Sequence, residues 1–214
     1  NLLPLCLSGA FIGINWILLF QAYRLTTVST ATLCYYMSPV FITLFSPIIL
    51  KEKLTLVQGS AVAAAFCGAI LVVKPGFAGA NVLIPSLVGV TGGMCAGLAY
   101  TLVRVLGQRG ERGPFIVLFF SAFSCLITLP YLIFDFHPMT AAQFFTLLLA
   151  GLSAAGGQFT ITAAYTRAPA REVSVFDYTQ IVFAAGLGFL FFGQLPDILS
   201  VIGYCIISGV AIWM

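Results

Sequence analysis

Charged side chains are scarce in this 214-residue sequence. Lys and Arg together contribute nine residues and Asp and Glu only six, so that 7% of the chain is charged while 61% is hydrophobic. A soluble domain carries roughly a quarter charged residues. A core surrounded by water cannot bury so much apolar surface, which excludes an ordinary soluble protein. The sequence therefore predicts an integral membrane protein, with the lipid bilayer as its solvent.

Residues that carry enzyme or metal chemistry are also few. The single His excludes a His-based metal cluster, and no H-E-x-x-H, G-x-S-x-G or Walker A pattern occurs. The six Cys lie inside apolar segments without a C-x-x-C pair, and we interpret them as free thiols. No basic stripe with interleaved aromatic residues points to nucleic acid. We therefore expect no catalytic residues, metal, cofactor, ATP-driven step or nucleic-acid partner.

Long apolar runs are what the sequence does contain. Eight of them have about the length of a membrane-spanning helix, roughly 17–25 residues, and short breaks with charge, Pro or Gly separate them. Backbone groups in lipid must bond to one another, so runs of this kind form helices. The sequence predicts an all-α bundle of eight transmembrane helices, at about 3–23, 27–50, 55–73, 82–106, 114–134, 141–166, 171–192 and 197–214.

The distribution of positive charge predicts the orientation. With eight spans both chain ends lie on the same side of the membrane. The loops after the second, fourth and sixth helices, with the helix ends beside them, hold Lys51, Lys53, Arg104, Arg109, Arg112, Arg167 and Arg171. The opposite loops hold only Arg24 and Lys74. The positive-inside rule then makes both chain ends cytoplasmic. We expect a monomer or homodimer in a bacterial inner membrane.

An internal repeat relates the two parts of the chain. A shift of 142 residues lays 3–23 on 145–165 and keeps its register over three helices. Identical residues coincide at Leu5/Leu147, Leu7/Leu149, Gly9/Gly151, Ala22/Ala164, Tyr23/Tyr165, Tyr36/Tyr178, Val40/Val182 and Phe41/Phe183. Because the shift spans five helices, the matched helices run in opposite directions. Inverted repeats of this kind are typical of secondary transporters.

The repeat also predicts how the chain divides. Residues 1–73 form the last three helices of a first repeat, 74–81 form an external linker, and 82–214 form a complete five-helix second repeat. The first repeat then lacks two helices, so we expect ten helices in the complete protein.

The stretch 22–73 resembles the EamA-type drug/metabolite transporter superfamily. The resemblance rests on a helix with a mid-membrane proline (Pro39), an acid just after it (Glu52), and a following helix with Gly59 and Gly68. The stretch 164–214 repeats the plan, with Ile181 in the position of the proline. This resemblance implies a ten-helix alternating-access carrier with a central cavity between its repeats. Such carriers mostly export metabolites or amino acids.

Polar and aromatic residues at helical spacing predict a cavity inside the bundle, because lipid-facing positions penalise polar groups. A cavity needs a few polar groups to orient a solute and aromatic faces to bury it. The candidate substrate-binding residues are Asn15, Trp16, Tyr36, Tyr100, Gln158, Tyr178 and Gln180. Pro39 lacks a backbone donor and should bend its helix, either as a static kink or as a gating hinge.

Asp177 is an acid within an otherwise uncharged helix, about 9 Å from the helix start if that lies near Arg171. A carboxylate at this depth must be stabilised. One interpretation is structural, with Asp177 near the headgroups and a positive helix end, in an ion pair with Arg104. The other is functional, with Asp177 as a ligand for a substrate amine or as a proton-coupling site. Both stay open from the sequence.

Together these features predict a secondary transporter, most simply an exporter, that moves a small metabolite or amino-acid-like solute by alternating access around a central cavity. The alternative is a membrane-embedded enzyme acting on a lipid or lipid-linked substrate, with Asp177 and tyrosines as its catalytic groups. A third hypothesis is a purely structural membrane subunit.

Overall fold

The structure is a computed structural model that describes residues 1–26, 28–73, 83–134, 136, 138–193 and 195–213. The expected external linker, 74–81, lies outside these residues. All regular secondary structure in the described part of the chain is helical. The helices are α1 (Leu2–Leu25), α2 (Val28–Tyr35), α3 (Ser38–Phe45), a π-helical turn (Ser46–Leu50), α4 (Leu56–Val73), α5 (Leu83–Gln108), α6 (Gly113–Phe134), α7 (Ala141–Arg167), α8 (Ala170–Phe176), α9 (Thr179–Phe192) and α10 (Ile198–Trp213).

These helices occupy the eight apolar segments expected from the sequence. Six of the segments are long and apolar enough to cross a membrane, whereas α4 and α10 are shorter apolar helices. The second segment comprises α2, α3 and the π-helical turn, and the seventh comprises α8 and α9. The prediction of an all-α, multi-pass integral membrane protein is therefore confirmed.

The second and seventh segments are both interrupted near their middle. The helix breaks at Tyr36–Met37 in one and at Asp177–Tyr178 in the other. Near each break the backbone makes tighter i→i−3 hydrogen bonds, such as Met37 N–H to Cys34 O at 3.2 Å and Tyr178 N–H to Val175 O at 3.3 Å. Pro39 lies in the first turn of α3, where its missing donor costs little. The second break forms without a proline, so a proline is not required for it.

Three helix boundaries recur at the 142-residue shift. The end of α1 at residue 25 corresponds to the end of α7 at 167, and the start of α2 at 28 corresponds to the start of α8 at 170. The start of α4 at 56 likewise corresponds to the start of α10 at 198. Boundaries are set by local turns and caps, not by apolar composition alone. Their agreement supports the division into two repeats.

The corresponding helices α4 and α10 pack directly on each other through glycines. A Cβ added to Gly203 would lie 2.6 Å from the carbonyl oxygen of Gly68, which is closer than real Cβ atoms approach. Ile207 is buried in the same interface. Small residues bring helix backbones close together where lipid supplies no hydrophobic drive.

The helix α7 is packed unevenly along its length. Near its C-terminal end it crosses α5 so closely that a Cβ on Gly107 would lie 2.5 Å from Cα of Thr166. By contrast, every residue from 141 to 157 is exposed. The corresponding helix α1 packs along both α5 and α6. Most of α7 therefore has no neighbour among the described residues where its repeat partner has two.

Candidate functional site

A cavity of about 670 Å³ lies among α1, α2, α3, α5, α7, α8 and α9. This volume is typical of pockets that bind small molecules. Both helix breaks contribute residues to its wall. Its aromatic lining comprises Trp16, Tyr35, Tyr36, Tyr100, Phe176 and Phe183. Its polar lining comprises Ser38, Gln158, Thr160, Asp177, Thr179 and Gln180.

Five of the seven candidate substrate-binding residues line this cavity, namely Trp16, Tyr36, Tyr100, Gln158 and Gln180. Pro39 and Asp177 line it as well. These residues come from α1, α3, α5, α7, α9 and the two breaks, so the fold gathers positions that are far apart in the sequence.

Asn15 does not line the cavity, in contrast to the prediction. Its side chain is fully buried and lies near Gly92 of α5. Successive residues on a helix point about 100° apart, so Trp16 faces the cavity while Asn15 faces the neighbouring helix. Neither Oδ1 nor Nδ2 of Asn15 has a hydrogen-bond partner among the described residues.

Tyr178 is also outside the cavity lining, although it lies beside it. Its side chain is fully buried, and its hydroxyl donates to the backbone oxygen of Tyr36 at 2.9 Å. The two rings lie 6.3 Å apart. Tyr36 and Tyr178 are partners under the 142-residue shift. In a two-fold arrangement, a residue contacts its own partner only near the axis, so this pair marks where the axis relating the repeats would pass.

Three further pairs of repeat partners line the cavity together. Trp16 corresponds to Gln158, Tyr35 to Asp177, and Ser38 to Gln180 under the same shift. If the predicted repeats are related by a two-fold axis, these shared partner positions put the cavity close to that axis. Sequence reasoning missed Tyr35 and Ser38, although the repeat register could have found them as the partners of Asp177 and Gln180.

Asp177 lies at the break between α8 and α9 and has a tyrosine partner. The Tyr165 hydroxyl donates to Oδ2 of Asp177 at 2.7 Å. The ring of Tyr165 stacks on that of Tyr100 with centroids 5.0 Å apart, and Tyr165 is fully buried. This arrangement fixes the carboxylate at the cavity wall. Asp177 also directly precedes the N-terminal turn of α9, where the helix dipole favours negative charge.

The prediction of an ion pair between Asp177 and Arg104 is wrong, because Arg104 pairs with Glu52. Arg104 Nε lies 3.2 Å from Oε1 of Glu52, and its Nη1 donates to the backbone oxygen of Thr166 at 3.2 Å. Arg104 follows Tyr100 by one helical turn, about 6 Å along α5. It therefore lies level with the loop after the π-helical turn, whereas Tyr100 lies level with the cavity.

The side chain of Glu52 is largely buried, although the neighbouring Lys51 and Lys53 would suggest a loop exposed to water. The side chains of Arg104 and Glu52 are only 14% and 10% exposed. Lys51 adopts a left-handed conformation, with φ of 56°, and this turn ends the π-helical segment just before Glu52. Close by in the sequence, Gln58 Nε2 lies 3.5 Å from Oε1 of Glu172. Both contacts join the predicted first repeat to the predicted second.

We call this side of the molecule the Arg-rich end, formed by residues 51–55, 109–112 and 168–169. Toward it the cavity is bounded by the stacked rings of Tyr100 and Tyr165, and beyond them by the Arg104–Glu52 pair. No group of three His, Cys, Asp or Glu side chains that could hold a metal ion occurs in the part of the chain that the structure describes.

Known protein sequences are similar to this sequence over nearly its whole length. The profile of the EamA-like transporter family matches residues 1–74 and 84–214. A pseudopaline exporter from Pseudomonas aeruginosa is 30% identical over 200 residues, which cover 93% of this chain and 70% of the exporter. A riboflavin transporter from Vibrio cholerae is 28% identical over 163 residues, covering 74% of this chain and 53% of that protein.

A solved crystal structure shares the fold. It superimposes with a TM-score of 0.80 at 17% sequence identity, and the match covers 97% of this chain and 87% of the other. At this level of identity the likeness concerns the fold alone.

Proposed function

Because the chain belongs to the EamA-like transporter family, we propose that it is a secondary transporter that moves a small organic solute by alternating access. The observation that carries the proposal is the position of the cavity between partner residues of the two repeats, Trp16 with Gln158, Tyr35 with Asp177, and Ser38 with Gln180. A cavity on the line between two related halves becomes accessible from either side when the halves rock against each other.

The interrupted helices support the same mechanism. Each of the segments 28–50 and 170–192 is interrupted beside the cavity, so one half-helix can tilt without unfolding the other. In transporters, discontinuous helices at the repeat interface commonly form the substrate site. Pro39 sits at one break, in line with a hinge, but the second break forms at a position without proline. The hinge is therefore assigned to the breaks and not to the proline alone.

The contacts at the Arg-rich end support a closed gate on that side. The Arg104–Glu52 pair and the Gln58–Glu172 contact both connect the predicted first repeat to the second. Opening the cavity toward the Arg-rich end requires these contacts to separate. The described conformation is then closed at this end, which we assign to the cytoplasmic side because its loops carry most of the positive charge.

The proposed direction of transport and the proposed kind of solute rest on the named relatives and on the chemistry of the cavity. One relative is named an exporter of pseudopaline and another a riboflavin transporter, so organic metabolites are the common element. We assign this chain to outward movement of a metabolite or amino-acid-like solute across a bacterial inner membrane. The relatives' two different solutes leave the solute class to be argued from the cavity itself.

The exposed part of α7, which no described helix covers, supports the expectation that the complete protein has ten helices. The exposed face between residues 141 and 157 lies where the repeat relation requires equivalents of α5 and α6 from the first repeat. In the full-length protein, Gly151→Trp should then impair folding by clashing with a covering helix, because Gly151 corresponds to Gly9, which packs closely on Phe119 and Phe123 of α6. Ile202→Trp, on an exposed face of α10, serves as the matched control and should be tolerated. Equal tolerance of both substitutions contradicts the covered face.

The transport proposal is tested with full-length protein reconstituted in sealed liposomes. A metabolite screen of the medium from cells with and without the gene first identifies solutes, and uptake and exchange of these solutes are then measured. Movement that requires the protein and an intact vesicle supports a transporter. The alternative, an enzyme acting on a lipid, predicts product formation in detergent, where no compartment exists.

A further inference from the structure

One ionisable carboxylate stands without a countercharge at the centre of the cavity. Asp177 is the only acidic residue in its described lining, and no Lys, Arg or His lines it. Arg104, the basic residue expected to pair with it, binds Glu52 instead. The hydrogen bond from Tyr165 satisfies Oδ2 but brings no positive charge. The described lining therefore contains no basic side chain that would neutralise an ionised Asp177.

The repeat partners give the cavity two chemically different walls. The positions from the first repeat are Trp16, Tyr35 and Ser38, and Tyr36 lies next to Tyr35 on this wall. The corresponding positions from the second repeat are Gln158, Asp177 and Gln180. At these partner positions the first repeat thus offers mainly aromatic faces and the second a carboxylate and two amides, while Tyr100, Phe176 and Phe183 of the second repeat add aromatic faces elsewhere in the lining.

From this asymmetry we propose that the cavity selects solutes with a cationic nitrogen joined to a flat apolar group. The nitrogen binds Asp177 between Gln158 and Gln180, and the apolar group lies on the wall of Trp16, Tyr35 and Tyr36. The proposal names the substrate class of the transport function above and rests on it.

The physical reason is that each competing class loses an interaction in this cavity. An anionic solute meets the Asp177 carboxylate with no basic side chain in the described lining to offset the repulsion. A wholly apolar solute adds no partner to the Asp177 carboxylate beyond the Tyr165 hydroxyl and none to the amides of Gln158 and Gln180, and polar groups left incompletely bonded are costly in a desolvated site. A cationic nitrogen neutralises the carboxylate, and its charge is also attracted to the faces of Trp and Tyr rings.

The structural alternative is that Asp177 only receives the hydrogen bond of Tyr165. Asp177→Asn separates the two roles, because an asparagine oxygen still accepts from the Tyr165 hydroxyl while the charge is lost. Glu111→Gln is the matched control, since it removes an acidic charge at the Arg-rich end, outside the cavity lining.

The test compares three probes that share one ring and nearly the same length. Tyramine carries an ammonium group, tyrosol a hydroxyl, and 4-hydroxyphenylacetate a carboxylate. Binding of radiolabelled tyramine to the purified full-length protein is measured with the other two as competitors. We expect tyramine to bind at least about tenfold more tightly than either competitor, which corresponds to about 1.4 kcal/mol.

The variants decide what causes that preference. In Asp177→Asn, tyramine affinity should fall about tenfold to the level of tyrosol, while tyrosol affinity stays within about twofold. Glu111→Gln should keep the full preference. The proposal is overturned if tyramine binds no better than tyrosol to the native protein, or if Asp177→Asn retains the preference, as a carboxylate that only couples protons or only anchors Tyr165 would predict.

Transport in liposomes and binding in solution, both measured on the same full-length protein, distinguish failure of the substrate class from failure of the transport function. If liposomes move no solute while the cation preference persists in binding, the transport proposal fails and the site stands. If transported solutes prove neutral or anionic and the binding preference is absent, the substrate class fails and transport stands.

Discussion

The buried pair between Arg104 and Glu52 gives a quantitative prediction about what holds the Arg-rich end closed. Glu52→Gln keeps the size of the side chain but removes its charge, leaving the Arg104 guanidinium with a neutral partner and the backbone oxygen of Thr166. Arg104→Gln removes the opposite charge. The double variant Glu52→Gln/Arg104→Gln removes both, which closes a double-mutant cycle.

The magnitude follows from the distance and the burial. At 3.2 Å and an effective dielectric constant near 20, two unit charges attract by about 5 kcal/mol before desolvation is subtracted. Removing one member of a buried pair typically costs about 3–5 kcal/mol, because the other charge stays buried alone. Since Arg104 keeps its bond to Thr166 in Glu52→Gln, we expect that variant to lose about 3 kcal/mol, and Arg104→Gln, which leaves the Glu52 charge without its partner, to lose about as much. The double variant should lose less than the sum, with a coupling of about 2 kcal/mol.

The free energy of unfolding is measured by reversible denaturation of the full-length protein in mixed micelles, followed by tryptophan fluorescence. Glu111→Gln is the control, because its partner Asn1 is at an exposed contact, and it should change the free energy little. Additive losses in the cycle, or a loss in Glu52→Gln no larger than in Glu111→Gln, would refute a buried pair at this position.

Two further substitutions test the close contacts of the fold. Gly107→Val places a side chain where even a Cβ would lie 2.5 Å from Cα of Thr166, so the purified variant should aggregate in size-exclusion chromatography. Gly59→Val is the control, because Gly59 has open space around it, and this variant should remain monodisperse. Tyr178→Phe removes the bond to the Tyr36 oxygen inside a buried contact and should cost about 1 kcal/mol in the same unfolding assay. An unchanged free energy in Tyr178→Phe would mean that this bond does not tie the two broken helices together.

Much of the fold can be predicted from the sequence, because a bilayer leaves an apolar segment few alternatives to a helix. Apolar runs of spanning length have one stable conformation in lipid, so the eight segments appear where composition places them. Trp16 and Gln158 are recognisable for a related reason. A large polar or aromatic side chain in such a run is costly toward lipid, and both line the cavity. The helix breaks at Tyr36–Met37 and Asp177–Tyr178 coincide to within one residue under the repeat shift, although the sequence analysis predicted only a bend at Pro39.

The partners of individual side chains are harder to predict, because they depend on height and direction within the bundle. Asn15 and Trp16 are neighbours in the sequence but face different surroundings. Arg104 and Asp177 contact different partners, Glu52 and Tyr165, which hydropathy does not resolve. Glu52 is flanked by two lysines, a pattern typical of a loop in water, yet its side chain is only 10% exposed and contacts Arg104 just after the left-handed turn at Lys51.

The two repeats share a scaffold but divide its chemistry, and the cavity itself gives a reason. Tyr35 and Asp177 occupy equivalent positions and both line the same space. A strictly symmetric pair of carboxylates here would place two like charges in one partly desolvated cavity, where each disfavours ionisation of the other. A symmetric pair of tyrosines would leave no charge to attract a solute. One carboxylate facing an aromatic partner keeps a single, unopposed negative charge beside an apolar surface. In the proposed binding mode, the asymmetry between the repeats would therefore give the bound solute a single orientation.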